Sequence, residues 1–251
     1  MTQHPLHGST DEEFLAGNVA GVVRTGATVR RTVGPWTPAV HDLLAHLESR
    51  IGLVPRVYGF DDRGREVLDF MPGRVLDVDH EALSDAQLVS LVSWARRFHE
   101  AVSGFTHDGP WRYFPIPMPT LIGHNDLAPY NVCFDGDELC GVFDWDLAGP
   151  TTPLDELAFM AWNCVPLTRD IDPDTAAQRL RLMASTYGGV EASQILGGVP
   201  QRIDIMLEGI PAAAADGDPG MAALMDLGEP ARSRQTLTEL ITRMPDIAAR
   251  L

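Results

Sequence analysis

The stretch His124-Asn125-Asp126-Leu127-Ala128-Pro129-Tyr130-Asn131, followed by Phe143-Asp144-Trp145-Asp146, constrains this chain more than any other feature of it. Asp126 precedes Asn131 by five residues, and Asp144 follows Asn131 by thirteen. Sites that move a phosphoryl group need one carboxylate to orient a hydroxyl and two oxygen donors to hold a divalent cation on phosphate oxygens. His-x-Asp-x-x-x-x-Asn is a spacing used for such a loop, and the later Asp supplies the second metal donor. Residues 131–134 and 139–143 read as two short strands around the turn Asp135-Gly136-Asp137, a hairpin that carries the chain from Asn131 to Asp144.

The rest of the composition narrows the setting. At 251 residues the chain can form two lobes or one large domain. The formal charge of −16 argues against nucleic acid, which requires basic surface, and suits a cationic small molecule. No apolar run approaches the ~20 residues of a membrane span, and the polar, acidic start has no signal-peptide core, so a cytoplasmic location is expected. All 19 basic residues are Arg. Any cation that holds phosphates must therefore be Arg, which can grip them with a two-pronged contact. The three cysteines, Cys133, Cys140 and Cys164, form no C-x-x-C pair and read as small buried hydrophobes, with Cys133 and Cys140 flanking the hairpin.

Along the chain, residues 1–12 read as a loose tail and residues 13–73 as a mostly β unit with one helix. Strands are expected at 22–24, 28–31, 54–60 and 65–70, and a helix to about residue 49 with Thr37 as cap and Pro38 at its first position. Met71-Pro72-Gly73 marks the boundary to a largely helical unit, residues 74–251. Its first helix spans 84–102, with Ser84 as cap and Leu88, Leu91, Val92, Ala95, Phe98 and Val102 on one face. From 153 onward about four helices are expected, broken at Gly188-Gly189, at Gly197-Gly198 and in a loop over 211–220.

The loop, the hairpin, Phe143-Asp144-Trp145-Asp146-Leu147-Ala148 and Pro153-Leu154-Asp155-Glu156-Leu157-Ala158 together resemble the aminoglycoside phosphotransferase family, small-molecule kinases with a protein-kinase-like fold. The resemblance spans roughly residues 14–190. It implies an α+β, two-lobed fold: a small β-rich lobe that binds the nucleotide and a larger helical lobe that carries the catalytic loop and the substrate helices. It implies Asp126 as catalytic base, Asn131 and Asp144 as Mg²⁺ ligands, and ATP as phosphoryl donor. Gly17 and Asn18 fall in the loop that would cover the phosphates. Arg30 aligns best with the family's phosphate-pairing Lys, with Arg31 second. The family's partner Glu in the following helix is absent; Val40, beside His41, stands there. The Asp69 carbonyl and the Met71 amide would bond adenine at the hinge. In the family's Pro-x-x-Asp-Leu-Ala, Asp155 reads as the Asp, bracing the loop or capping the next helix, and Glu156 as an inserted residue.

Other residues stay open at this level. Asp146 is either a further metal or water ligand or a cap, and His124 braces the loop. Glu156, Asp204, Glu208 and Asp226 are candidate acidic substrate contacts or solvated helix faces. Trp111, Tyr113, Trp145 and Trp162 line a substrate pocket or belong to the core. The expected function is ATP- and Mg²⁺-dependent O-phosphorylation of a small-molecule hydroxyl, possible acceptors including aminoglycosides and other antibiotics. The alternatives are a non-catalytic kinase-like binding or immunity protein and a metal-dependent hydrolase using Asp144 and Asp146.

Overall fold

The computed structural model describes residues 12–15, 21–112 and 114–251. Gly17, Asn18 and Tyr113 lie outside the described residues.

The N-terminal part is an antiparallel sheet in the order β1-β2-β3-β5-β4, built from β1 (Glu13–Leu15), β2 (Val22–Thr25), β3 (Thr28–Arg31), β4 (Val57–Phe60) and β5 (Glu66–Asp69). The β2-β3 hairpin closes on Gly26-Ala27, with Thr25 opposite Thr28 and Gly26 at φ +63°. A glycine first in a two-residue loop allows the turn that matches strand twist. Strand β3 then pairs with β5, so that Arg31 lies directly across from Glu66. Helix α1 (Thr37–Glu48) buries Val40, Leu43, Leu44 and Leu47, the face expected from their spacing. Its start differs by one residue: Trp36 holds the cap position with no side-chain bond, and the Thr37 hydroxyl accepts instead from the Gly34 amide at 2.9 Å.

Helix α2 (Asp85–Ala101) begins as expected at Ser84. The Ser84 hydroxyl accepts from the Gln87 amide and the Gln87 side chain accepts from the Ser84 amide, a reciprocal cap. Two small antiparallel pairs follow: β6 (Leu121–Gly123) with β9 (Gly149–Thr151), and β7 (Val132–Asp135) with β8 (Glu138–Val142). Between them sits the loop of interest. Its anchor is an aromatic cluster in which Trp145 meets Phe98 edge-on at 5.4 Å and Trp94 stacks on Phe98 at 5.3 Å. The Trp145 indole N–H donates to the Val142 carbonyl at 3.1 Å. Trp145 and Trp162 are core residues, 2% and 4% exposed.

Five helices complete the chain: α3 (Pro153–Cys164), α4 (Pro173–Tyr187), α5 (Ala192–Ala215), α6 (Pro219–Asp226) and α7 (Ala231–Ala248). The expected break at Gly197-Gly198 does not occur, because α5 runs through it. A side chain at Gly198 would meet the Ala158 Cβ of α3 at 3.4 Å, and one at Gly197 would meet nothing within 4 Å, so neither glycine makes a turn here. The expected loop over 211–220 is likewise mostly helix, with only 216–218 between α5 and α6. The helix carries Pro211 within it, held by the packed face of Ile203, Leu207 and Ile210 rather than by local propensity. Among the described residues no helix is long and apolar enough to cross a membrane.

Candidate active site

The loop after β6 is set by a buried bracket. His124, fully buried, donates from Nε2 to the Phe143 carbonyl at 3.0 Å and accepts at Nδ1 from the Asp126 amide at 3.3 Å. It therefore joins the Asp126 loop to the residue before Asp144. Desolvation holds the imidazole below its ordinary value, and nearby Glu156 and the bond to Phe143 oppose this only in part. That agrees with one ring nitrogen donating and the other accepting. Asn125 takes φ +63°, uncommon for a side-chain-bearing residue. Its amide donates to Glu156 Oε1 at 2.7 Å, and its side-chain nitrogen donates to the Leu147 and Gly149 carbonyls at 3.2 and 3.1 Å.

This arrangement corrects the reading of two acids. Glu156 is fully buried, so it is neither a substrate contact nor a solvated face. It is also the acid three residues after Pro153, which makes it the counterpart of the family's Asp and no insertion. Desolvation pushes its carboxyl up, but His99 and the Asn125 amide outweigh that and hold it below its ordinary value. Asp155 instead receives the Thr152 hydroxyl at 2.6 Å, while its amide donates back to that hydroxyl at 3.1 Å, capping α3. A side chain on Gly123 would lie 3.0 Å from Glu156 Oε2 and 2.4 Å from Thr151 Cγ2, so the strand can approach this bracket only as glycine.

In front of the bracket stands Asp126, half-buried. Its Oδ2 accepts from Asn131 Nδ2 at 2.7 Å and its Oδ1 from the Tyr130 hydroxyl at 2.9 Å. Desolvation, with the charge of Asp144 added, pushes this carboxyl up to about 7, against the bonds from Tyr130 and Asn131. Asn131 also donates from Nδ2 to the Asp126 carbonyl at 3.0 Å. With its nitrogen committed, the Asn131 side chain has its oxygen left for another partner. The Asn131 carbonyl accepts from the Phe143 amide at 3.0 Å, so the hairpin returns the chain to Asn131 one residue before Asp144. Asp144 sits at φ +60°, ψ +64°, with its carboxylate half exposed. Asn131 and Asp144 offer hard oxygen donors suited to Mg²⁺. Among the described residues no group of three or more His, Cys, Asp or Glu side chains could cage a metal. Two protein donors fit an ion that completes its shell with phosphate oxygens and water.

The cation beside this pair is Arg31, and Arg30 points elsewhere. Arg30 bonds the Thr28 hydroxyl and the Thr25 carbonyl of its own hairpin. Arg31 donates from Nε to Glu66 at 3.2 Å, from Nη1 to Asp144 at 3.1 Å and from Nη2 to Asp146. Burial pulls the guanidinium down, yet Asp146, Asp144 and Glu66 more than offset it and hold it above its ordinary value. Glu66, directly across on the neighbouring strand, is the acid that receives Arg31 Nε. Helix α1 contributes indirectly, since His41 Nε2 lies 2.9 Å from the other Glu66 oxygen.

Asp146 is a bridge between arginines. Its second oxygen faces Arg112 at 3.4 Å, and Arg112 grips Asp218 with two bonds of 2.8 Å while its guanidinium lies 4.4 Å from the Trp36 ring. Asp218 in turn caps α6 through the Gly220 and Met221 amides. Glu66, Arg112 and Tyr130 are thus site-region residues that the sequence reading missed. Only Glu66 had a signal, an acid set opposite an arginine in antiparallel strands.

At the hinge, the Asp69 amide donates to the Arg56 carbonyl at 3.1 Å, and its carboxylate accepts from the Arg56 amide and the Tyr58 hydroxyl. Met71 rests on the hairpin, where a side chain on Gly141 would come within 2.8 Å of the Met71 Cβ. Asp204, Glu208 and Asp226 are exposed, and Trp111 is half-buried against the core. Two surface clefts, about 1210 Å³ between α2 and α4 and about 470 Å³ between α5 and α7, are lined by none of the candidate residues.

A model described as the phosphotransferase enzyme family matches residues 112–194. The chain is 32% identical over 194 residues to the trifolitoxin immunity protein of Rhizobium leguminosarum bv. trifolii, which is 74% of this chain and 72% of that protein. Among solved structures it is similar to an amicoumacin kinase in complex with AMP-PNP and Ca²⁺, with a TM-score of 0.65 at 13% identity over 95% of this chain and 89% of that one. It is also similar to an aminoglycoside phosphotransferase of Streptomyces rimosus in complex with ADP and streptomycin, with a TM-score of 0.58 at 15% identity over 80% and 94%. At these identities the structural likeness is one of fold, and the fold is the two-lobed, protein-kinase-like α+β architecture.

Proposed function

The chain belongs to the phosphotransferase enzyme family, and from that premise we propose that it transfers the γ-phosphoryl group of ATP, with Mg²⁺, to a hydroxyl of a small antimicrobial molecule in the cytoplasm. The observation that carries this reading is the convergence of Asp126, Asn131, Asp144 and Arg31 in one acidic, half-buried cluster. Asp126 takes the acceptor's proton as the hydroxyl oxygen bonds the γ-phosphorus and the bond to ADP breaks. A carboxyl pushed up to about 7 is suited to that exchange near neutral pH. Asn131 and Asp144 would hold Mg²⁺, which when bound neutralises charge on the transferring phosphates. Arg31 supplies the fixed cation, oriented by Glu66. The phosphate-covering loop with Gly17 and Asn18, and the adenine contacts of Asp69 and Met71, belong to the same proposal.

The relative's name, an immunity protein, supports an antimicrobial compound as acceptor. It equally motivates a second reading, in which the chain protects by binding a toxin without phosphorylating it. ADP release across a panel of hydroxyl-bearing antibiotics and toxins separates the two. Asp126→Asn should retain MgATP binding and lower turnover by about 10²–10⁴-fold. Full turnover in that variant would exclude Asp126 as base, and protection with no ADP release from any acceptor would favour the binding reading.

A further inference from the structure

We infer that Tyr130 is a guard on the base: its hydroxyl donates to the carboxylate oxygen that receives the acceptor's hydroxyl, lowers that oxygen's basicity, and so suppresses transfer to water when no acceptor is bound. The inference rests on the phosphotransferase reading of the site and goes beyond it to a residue outside the family's catalytic pattern.

The two oxygens of Asp126 are held unequally. Oδ2 takes the amide of Asn131, which is 5% exposed and also bonded to the Asp126 carbonyl. That partner is fixed on two sides. Oδ1 takes only the Tyr130 hydroxyl, at 2.9 Å, among the bonds recorded for it. Tyr130 is 39% exposed, so the residue that holds Oδ1 is reachable from solvent, unlike Asn131. Pro129 sits at the start of the same 3₁₀ turn, Pro129–Asn131, and pins the local backbone. Withdrawal of the phenol is therefore a side-chain rotation.

The chemistry follows from one hydroxyl replacing another. An acceptor O–H makes the same charge-assisted bond to Oδ1 that the phenol makes, so its entry costs the site little. A single water offers that bond too, but brings no further contacts with which to offset the loss of the phenol's bond to Oδ1. While the phenol donates to Oδ1, it takes one of that oxygen's two lone pairs and lowers the basicity of the other, so a water bound there is a weaker nucleophile. Were it to react, its oxygen would bond the γ-phosphorus, the bond to ADP would break, and the water's proton would pass to Asp126. Once displaced by an acceptor, the aromatic face becomes a wall of the acceptor subsite.

The test needs no knowledge of the acceptor. Purified full-length wild type, Tyr130→Phe, Asp126→Asn and the double variant are compared for MgATP binding by calorimetry, melting temperature, and ADP release in buffer alone. Tyr130→Phe should raise acceptor-free hydrolysis by roughly three- to tenfold, the range of one lost hydrogen bond, with binding and melting unchanged. The double variant should fall back to background. Hydrolysis equal to wild type in Tyr130→Phe, with nucleotide bound, would overturn the guard alone. So would loss of MgATP binding or a large drop in melting temperature in that variant, since the hydroxyl would then be a structural brace. A wild type that binds no MgATP would overturn the phosphotransferase reading itself, and the guard with it.

Discussion

Glu66 Oε1 receives Nε of Arg31 at 3.2 Å across two directly paired strands, and both side chains are withdrawn from solvent. The ion pair is made within the sheet, and α1 adds a supporting contact through His41. An ammonium in place of Arg31 could not meet Glu66, Asp144 and Asp146 from three separate nitrogens. The all-Arg composition and the in-sheet partner are therefore consistent with one another.

Arg31→Ala should abolish measurable MgATP binding and destabilise the fold by about 3 kcal/mol, because it takes the guanidinium from the buried Glu66 carboxylate and leaves only His41 beside it. Arg31→Lys should restore only part of either. Arg30→Ala, which removes bonds confined to its own hairpin, should leave nucleotide affinity unchanged and cost less than about 1 kcal/mol. Calorimetric titration and chemical denaturation of the three variants decide the matter. Equal loss of affinity at Arg30 and Arg31 would reject the assignment.

The choice between those arginines shows where sequence reasoning reaches its limit. Adjacent residues on a strand face opposite ways, so a one-residue uncertainty in alignment exchanges the acidic cluster for bonds within the hairpin. The loop itself was legible because Asp126, Asn131 and Asp144 lie close in sequence, and a turn with Gly136 lets the chain return. The α+β order, the capped start of α2 and the apolar faces of α1 and α2 were legible for the same reason, since each depends on local spacing. Glu66 became readable only once the β3-β5 register set it opposite Arg31, and Arg112 and Asp218 were not legible, because their partners come from distant elements that only the fold brings together. The expected break at Gly197-Gly198 is absent because the helix tolerates glycine there while Ile195, Leu196 and Val199 keep it packed, and packing of that kind is set by the fold rather than by the dipeptide.

His124 ties acid stability to the catalytic loop. Its folded-state value lies below the ordinary 6.5, because burial disfavours the imidazolium. The unfolded chain thus takes up this proton at a higher pH than the folded one does. The stability it contributes is complete above 6.5 and is lost as pH falls below that value, by at most about 1.4 kcal/mol per pH unit. Thermal unfolding of wild type and His124→Gln at pH 7.5, 6.5 and 5.5 measures this. The wild type should lose more stability over that span than the variant, and parallel curves would show that the ring titrates freely.

Cys133 and Cys140 face one another beneath the hinge. Their sulfurs are 3.5 Å apart, and both thiols are directed at the Pro72 carbonyl, at 3.5 and 3.2 Å. Burial and the neighbouring thiol push Cys133 up to about 12, whereas Cys140 is partly exposed. Cys140 should therefore react first with a small disulfide oxidant, and the resulting mixed disulfide should be resolved by Cys133. The chain then loses two hydrogens and the oxidant gains two electrons and two protons. A side chain on Gly73 would already meet Cys140 Sγ at 2.4 Å, so the hinge rests directly on this pair. Closing the bond draws both thiols off the Pro72 carbonyl, and MgATP affinity should change with it. Mass spectrometry of the oxidised protein should find a peptide bridging residues 133 and 140, with Cys164, buried in the core, still a thiol. Cys140→Ser should abolish both the bridge and the oxidant's effect on nucleotide affinity. A bridged wild type whose affinity matches the reduced protein would show that the pair does not act on the hinge.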